Sequence, residues 1–401
     1  MAADTPTHEP SPERDRTVPG DARSTVPVTW AIIAGGGTAG HLLPGLSVAR
    51  RLVDRGHLID SIHFVGASRG LEAQLVPEAG FRITLLPGRG VQRRLTLENF
   101  AAIWGILRAV VHALVLVRRR RPAVVLALGG FASVACAVAA VLWRVPLIVA
   151  DQNARAGAAN RLVGRFAKAC AVPFPETDLP HAIVTGNPVR DEILAVAQDR
   201  DRNAARVSLG LPLDRIVIVA FAGSLGSRRL NEAVYGAVEQ WGDRADLAIH
   251  HVIGARDWDT RPSLDPPALR YQVVRYEDRM PLVLAAADLA VCRSGGTTVA
   301  ELAVVGVPSV LVPLPIATRD HQTANAAALV RVGGAVLVPD AEFDADRLVH
   351  EVSRLLGTTE GGSPRLGLMA DAARTLARAD AADRVADLVE EHARPRRAER
   401  S

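Results

Sequence analysis

The sequence predicts two parallel, doubly wound α/β domains in tandem. Three observations carry this prediction. From residue 28 onward, short apolar runs of strand length alternate with longer runs of helical spacing, the pattern of a parallel sheet with crossover helices. The alternation pauses at the turn-rich Thr185-Gly186-Asn187-Pro188 and then restarts. Each half opens with the same device, a strand running into a glycine turn and then a helix. The chain therefore divides into a disordered tail (1–27), an N-terminal domain (28–190), a linker region (191–213), a C-terminal domain (214–390) and a basic tail (391–401). The last helices are free to pack back on the first domain.

In the first half, strands are expected at 28–34, 61–65, 83–86, 124–128 and 147–150. A helix at 44–55 would place Leu46, Ala49, Leu52 and Val53 on one side. In the second half, strands are expected at 216–222, 247–252, 271–275, 289–292 and 309–312, with a helix over 228–240. Composition narrows the class. The chain of 401 residues is 49% hydrophobic, which excludes disordered, collagen-like and disulfide-scaffold classes. Its 47 cationic and 43 acidic side chains leave a net charge of +4, too little to argue for nucleic acid. Cys136, Cys170 and Cys292 lie far apart with no metal or redox spacing, which suits a reducing cytoplasm. Residues 1–27 contain no apolar stretch, unlike a signal peptide.

Two apolar stretches test for a membrane span, which needs about 20 nearly uncharged residues. Arg108 and His112 interrupt 100–117, and Arg144 and Pro146 interrupt 131–149. Both are expected as helices of a soluble domain. The first is bracketed by Arg93-Arg94 and the arginines of 118–121. An apolar helix so flanked suits the face of an anionic membrane.

The glycine loops carry the chemistry. Gly35, Gly37 and Gly40 satisfy G-x-G-x-x-G after a strand, with Pro44 suited to the first turn of the next helix. A dinucleotide site also needs an acid at the end of the second strand. That strand ends Phe64-Val65-Gly66-Ala67, and Asp54 falls on the preceding helix. The loop is therefore expected to bind phosphate or diphosphate, a bare tight turn being the alternative. Gly223-Ser224-Leu225-Gly226 repeats the device, and Arg293-Ser294-Gly295-Gly296-Thr297-Thr298 precedes a helix carrying Glu301. Such a helix start can hold a diphosphate. Glu301 can accept hydrogen bonds from ribose hydroxyls or simply complement the helix dipole. Gly129-Gly130, after the strand at 124–128, is either a further phosphate loop or plain loop chemistry.

Taken in order, these motifs resemble a family. Gly36-Gly37-Thr38-Ala39-Gly40-His41, followed by Pro44-Gly45, is similar to the first glycine loop of the MurG family. These are the peptidoglycan N-acetylglucosaminyltransferases acting on lipid I. Asp151-Gln152-Asn153, Thr185-Gly186-Asn187-Pro188-Val189-Arg190, Gly223-Ser224-Leu225-Gly226, Cys292-Arg293-Ser294-Gly295 and His321-Gln322-Thr323-Ala324-Asn325 continue the likeness over residues 28 to 390. The resemblance implies the GT-B fold, two Rossmann-like domains facing each other across a cleft. It also implies inverting transfer of N-acetylglucosamine from UDP to the C4 hydroxyl of the N-acetylmuramoyl unit of lipid I, giving lipid II.

By the same resemblance the donor, UDP-N-acetylglucosamine, lies mainly on the second domain. Ser224 and Ser294, Gly295, Gly296, Thr297 and Thr298 would lie near its diphosphate, and Glu301 would hold its ribose. Backbone at Tyr276 and Glu277 would meet uracil, and His321, Gln322 and Asn325 would reach sugar hydroxyls. From the first domain, Thr38, Ala39, Gly40, Asn153 and Arg190 would complete the donor pocket. The acceptor diphosphate would lie at Gly36, Gly37, Gly129 and Gly130. The partners implied are UDP-N-acetylglucosamine, undecaprenyl-diphosphate-linked lipid I and the inner leaflet, with the protein peripheral on the cytoplasmic face of the cell membrane.

His41 is the one titratable side chain in the first loop, suited to take a proton from the attacking hydroxyl or to hydrogen-bond phosphate. Many family members carry His-Glu where this chain has Ala150-Asp151. Asp151 is thus a shorter acid, either a second candidate base or a partner for another cleft group. No Asp-x-Asp pair at a strand end demands a metal. Helix starts and arginine can stabilise leaving UDP, so no obligatory metal or cofactor is expected. Another GT-B UDP-sugar enzyme is the alternative, either a glycolipid glycosyltransferase or a UDP-sugar epimerase, and an epimerase would need more acids and histidines in the cleft. A nicotinamide oxidoreductase lacks its strand-end acid, and a silent sugar-nucleotide binder would not need His41, Asn153 and Glu301 together.

Overall fold

The computed structural model describes residues 28–36, 39–68, 70–87, 98–223, 225–359 and 362–395. The first sheet contains β1 (Ala31–Gly35), β2 (Ile62–Ala67), β3 (Arg82–Leu86), β4 (Val124–Gly129), β5 (Leu147–Ala150), β6 (Ala169–Val172) and β7 (Ala182–Val184). Its order is β3-β2-β1-β4-β5-β6-β7, with every pairing parallel. The second contains β8 (Ile216–Phe221), β9 (Leu247–Val252), β10 (Arg270–Val274), β11 (Leu289–Cys292), β12 (Ser309–Leu311) and β13 (Ala335–Leu337). Its order is β10-β9-β8-β11-β12-β13, again all parallel.

Helices cover both faces of each sheet, so the central strands are buried along their whole length, as in β1 and β4. Two core clusters lie on either side of each sheet. Ile32, Ala34 and Val125 belong to one, while Ala31, Ile33 and Leu126 belong to the other. Strand order reverses between β1 and β4 and between β8 and β11. Crevices beyond the carboxyl ends of the strands at such reversals are where open parallel sheets bind ligands.

The structure departs from the sequence expectations at particular elements. The first helix runs Ala39–Asp54, so Pro44 lies inside it and not in its opening turn. The segment 191–213 is no loose linker. It forms helices Asp191–Gln198 and Arg202–Leu209, because Ile193, Leu194, Ala205 and Leu209 are apolar enough to join the second domain's core. Strands β6, β7 and β13, of three or four residues, were not anticipated.

The last helix, Ala381–His392, returns to the first domain, with Val385, Ala386, Leu388 and Val389 in the same cluster as Trp30 and Ile33. Arg55 pairs with Asp383, Asp387 and Glu390 along that seam. In the region expected as basic tail, the helix continues to His392, and the Arg394 amide donates to the Ala123 carbonyl. The tail at 1–27 and residues 396–401 lie outside the described residues. Among the described residues, no helix is long and apolar enough to cross a membrane. All three cysteines are buried, and burial pushes the Cys136 and Cys170 thiols up to about 12, so neither is a ready nucleophile.

Candidate active site

The two strand-order reversals open onto one cavity of about 560 Å³. Gly40 and His41 line it from the segment after β1, and Gln152 and Asn153 from the segment after β5. Phe221, at the end of β8, is followed by Ala222, Gly223 and Leu225, and Gly295 to Thr298 follow β11. Arg190, Arg293, Glu301, His321 and Gln322 complete its polar wall.

His41 occupies the third position of its helix, immediately beyond the β1 glycine turn. Its Nδ1 lies 2.6 Å from Gln152 Oε1. A Cβ at Gly129 would lie 3.3 Å from the imidazole Cε1, so glycine there lets the ring settle beside the end of β4. Gly129 and Gly130 also have φ of +109° and +81°, which disfavour other residues. The adjacent loops abut, since a Cβ at Gly130 would come within 2.7 Å of the Gly36 carbonyl oxygen.

Across the cavity, helix Gly296–Val305 begins with Gly295 as its cap and no capping side chain. The first backbone N–H groups of such a helix lack intrahelical partners and suit a diphosphate. One turn further in, the Glu301 Oε1 accepts from Arg190 Nε at 3.1 Å and Nη2 at 2.9 Å. Burial pushes the Glu301 carboxyl up, opposed by the charge and hydrogen bonds of Arg190. Oε2 has no protein partner among the described residues.

The domains interlock around this cavity. Pro44 has no N–H to give the Gly40 carbonyl its helical bond. Thr297 Oγ1 of the other domain donates to that carbonyl at 3.3 Å. A Cβ on Gly296 would sit 1.8 Å from the Gln152 carbonyl oxygen. Gly296→Ala is therefore expected to hold the domains apart, at a cost of about 1–3 kcal/mol to the closed form. Slower turnover with unchanged thermal unfolding of the protein would confirm this. Unchanged turnover would show that the interlock is not the working geometry.

Several residues expected in the site have structural roles. Asp151 is 4% exposed and does not line the cavity. Its Oδ1 accepts from Asn153 N, and its Oδ2 accepts from Gly157 N and Asn160 Nδ2. With both oxygens engaged, it clamps the 153–160 loop and is not placed as a second base. Ser294 is fully buried and donates to the Gln322 carbonyl. Asn325, also fully buried, accepts from Ala154 N and donates to Asn153 Oδ1 and the Ser294 carbonyl, tying the two domains together.

Gln322 Oε1 accepts from Leu314 N, leaving its NH2 toward the cavity it lines. His321 Nδ1 donates to the Thr318 carbonyl, leaving Nε2. Tyr276 is exposed and Glu277 buried, and neither lines this cavity. Glu277 is held by Arg279, with His250 Nε2 3.5 Å away. Gly37, Thr38 and Ser224 lie outside the described residues, as does the Ala39 side chain.

Sequence reasoning missed Gln152 as a partner of His41, and Phe221 and Arg293 as lining residues. It also missed Glu72. Buried at 1% exposure, Glu72 accepts from the Ala67 amide at the end of β2, with Gly36, Gly66 and Gly70 all too close for a Cβ. Among the described residues, no group of three or more His, Cys, Asp or Glu side chains is arranged to hold a metal ion.

Two parallel, doubly wound domains with facing reversals around one polar cavity define the GT-B architecture, and the family matches make it that of a glycosyltransferase. Residues 31–172 match the glycosyltransferase family 28 N-terminal domain, and residues 217–385 match its C-terminal domain. A protein of Alkalilimnicola ehrlichii is 40% identical over 375 residues, covering 92% of this chain and all of that protein. A protein of a Nocardioides species is 38% identical over 358 residues, covering 89% of this chain and 96% of that one. Both are named UDP-N-acetylglucosamine–N-acetylmuramyl-(pentapeptide) pyrophosphoryl-undecaprenol N-acetylglucosamine transferase. The solved structure of MurG from Acinetobacter baumannii superposes with a TM-score of 0.70 at 28% identity, covering 90% of this chain and 99% of that one. The chain belongs to the MurG family within glycosyltransferase family 28.

Proposed function

We propose that this protein transfers N-acetylglucosamine from UDP-N-acetylglucosamine to the C4 hydroxyl of the N-acetylmuramoyl unit of undecaprenyl-diphosphate-linked lipid I. The observation that carries the proposal is His41 of one domain facing the uncapped helix start at Gly296 of the other across a single cavity. The names of the family's curated members support the choice of substrates.

In the reaction, His41 Nε2 takes the proton of the C4 hydroxyl as its oxygen forms a bond to the anomeric carbon. The bond from that carbon to the diphosphate oxygen breaks on the opposite face, UDP leaves, and the configuration inverts. The N–H groups at the start of helix Gly296–Val305 meet the charge developing on UDP, as preorganised dipoles do. With Arg190 also at hand, the proposal needs no bound metal. Glu301 Oε2 holds the ribose, and the acceptor diphosphate lies beside Gly36, Gly129 and Gly130. The test is transfer from labelled UDP-N-acetylglucosamine to a short-chain lipid I analogue. Formation of a β-1,4-linked disaccharide is the expected result. UDP release without transfer, or epimerised donor, would overturn it.

The acceptor's polyprenyl chain requires the first domain to meet a membrane surface. Helix Glu98–Arg120 buries Ala109, Ala113 and Val117 and exposes Leu107, Val111 and Val115 one turn apart on its other side. Exposed Leu142 and Trp143 lie alongside, with the Arg118 guanidinium 5.3 Å from the Trp143 ring. Arg108, Arg118, Arg119 and Arg121 are exposed around this stripe. Arg93, Arg94 and the side chains of Trp104 and Ile106 lie outside the described residues. Apolar side chains here would enter the interface while each arginine near anionic headgroups contributes about 1 kcal/mol. Reversing Arg93, Arg94 and Arg118 to Glu is expected to release the protein from phosphatidylglycerol vesicles at low salt. Activity on a soluble acceptor should be retained. Sedimentation of the variant with vesicles equal to that of the parent would exclude this face.

A further inference from the structure

We propose that Gln152 positions His41 for proton removal by fixing which ring nitrogen carries the hydrogen. The inference rests on the reading of His41 as the base. Gln152 is 3% exposed, just beyond β5. Its Nε2 donates to the Ala150 carbonyl at 3.1 Å. A carbonyl only accepts, so turning the amide round would set two oxygens against each other. Oε1 is thereby committed to His41 Nδ1. An amide oxygen also only accepts, so Nδ1 must carry the hydrogen, and the lone pair of the neutral ring is placed on Nε2. Nε2 is the ring nitrogen with no protein partner among the described residues.

Gln152 is itself held from both sides of the cleft. Its backbone carbonyl accepts from Asn187 Nδ2 at 3.5 Å and lies against Gly296 of the second domain. The site that fixes the imidazole is thus also the site where the domains meet. When the acceptor proton arrives on Nε2, Nδ1–H continues to donate to Oε1, and the ring need not turn. An amide holds the ring without the pull on the proton that a carboxylate would exert. The charged and titratable groups facing the same cavity are Arg190, Glu301, Arg293 and His321, and Asp151 adjoins Gln152 with its oxygens occupied by its own loop.

The experiment combines ¹⁵N NMR of histidine-labelled protein, with His41 assigned by its loss in His41→Asn, and the pH profile of kcat/KM. In the parent, Nε2 is expected to be the unprotonated, pyridine-like nitrogen of the neutral ring. Gln152→Glu should move the acidic limb of the rate profile, and the His41 signal with it, to higher pH, because a carboxylate beside Nδ1 favours the charged ring. Gln152→Leu should lose the tautomer preference and lower kcat by about tenfold, with the KM for UDP-N-acetylglucosamine little changed. An unprotonated Nδ1 in the parent, or a His41 titration indifferent to Gln152→Glu, would overturn the proposal. A moved titration that the rate profile does not follow would uphold the hold of Gln152 on the ring and overturn His41 as the base.

Discussion

Replacing His41 with alanine is expected to lower turnover by about 10²–10⁴-fold, the range for loss of a general base. UDP binding should change little, since His41 lies on the first-domain wall of the cavity, across from the helix start at Gly296. The size of the loss follows from the engagement of the other candidate base. Asp151, the other acid or base suggested by the sequence, has both oxygens bound to the 153–160 loop and lies outside the cavity. Steady-state rates on a soluble acceptor, with calorimetry of UDP binding, make the check. A fall of less than about tenfold would reduce His41 to a phosphate contact, because a group that only orients its substrate through one neutral hydrogen bond contributes about 0.5–1.5 kcal/mol.

Glu301→Ala is expected to weaken UDP binding roughly ten- to a hundredfold, since hydrogen bonds to a charged group contribute about 1.5–3 kcal/mol. The geometry adds a second consequence. The Arg190 guanidinium, which spends two N–H groups on Oε1, loses its only ion-pair partner among the described residues. Glu301→Gln separates the two effects, because it keeps an acceptor for ribose or arginine while removing the charge. The glutamine variant should lie between the parent and the alanine variant in UDP affinity. Calorimetry that finds UDP binding unchanged in a folded Glu301→Ala protein would remove Glu301 from the ribose site.

Much of the architecture was legible in the residues. Strands buried on both faces need continuous apolar runs, so β1, β4, β5, β8 and β11 stood out, and the helix Arg228–Gln240 was expected with the bounds it has. The glycine turns after β1, β8 and β11 were visible for a similar reason, since backbone that turns sharply beside a phosphate leaves no room for side chains. β6, β7 and β13 were too short to show a period, and each begins with alanine, which suits helix and strand alike. Pro44 suggested a helix start by local preference. In the fold its missing N–H is compensated through Thr297, a residue of the other domain.

The sequence by itself determined the two-domain parallel plan, the position of the glycine loops and the family motifs. Tertiary structure alone decided what each polar residue in those motifs does. His41 meets Gln152, and Arg190 meets Glu301, each across 111 positions of chain. Asp151, Ser294 and Asn325 have side chains as fit for a ligand as His321 or Gln322, yet burial commits all three to the protein's own hydrogen bonds. A polar side chain carries the same donors and acceptors wherever it lies. Whether they serve a substrate or the fold depends on which groups the packing leaves within about 3 Å and whether water can reach them.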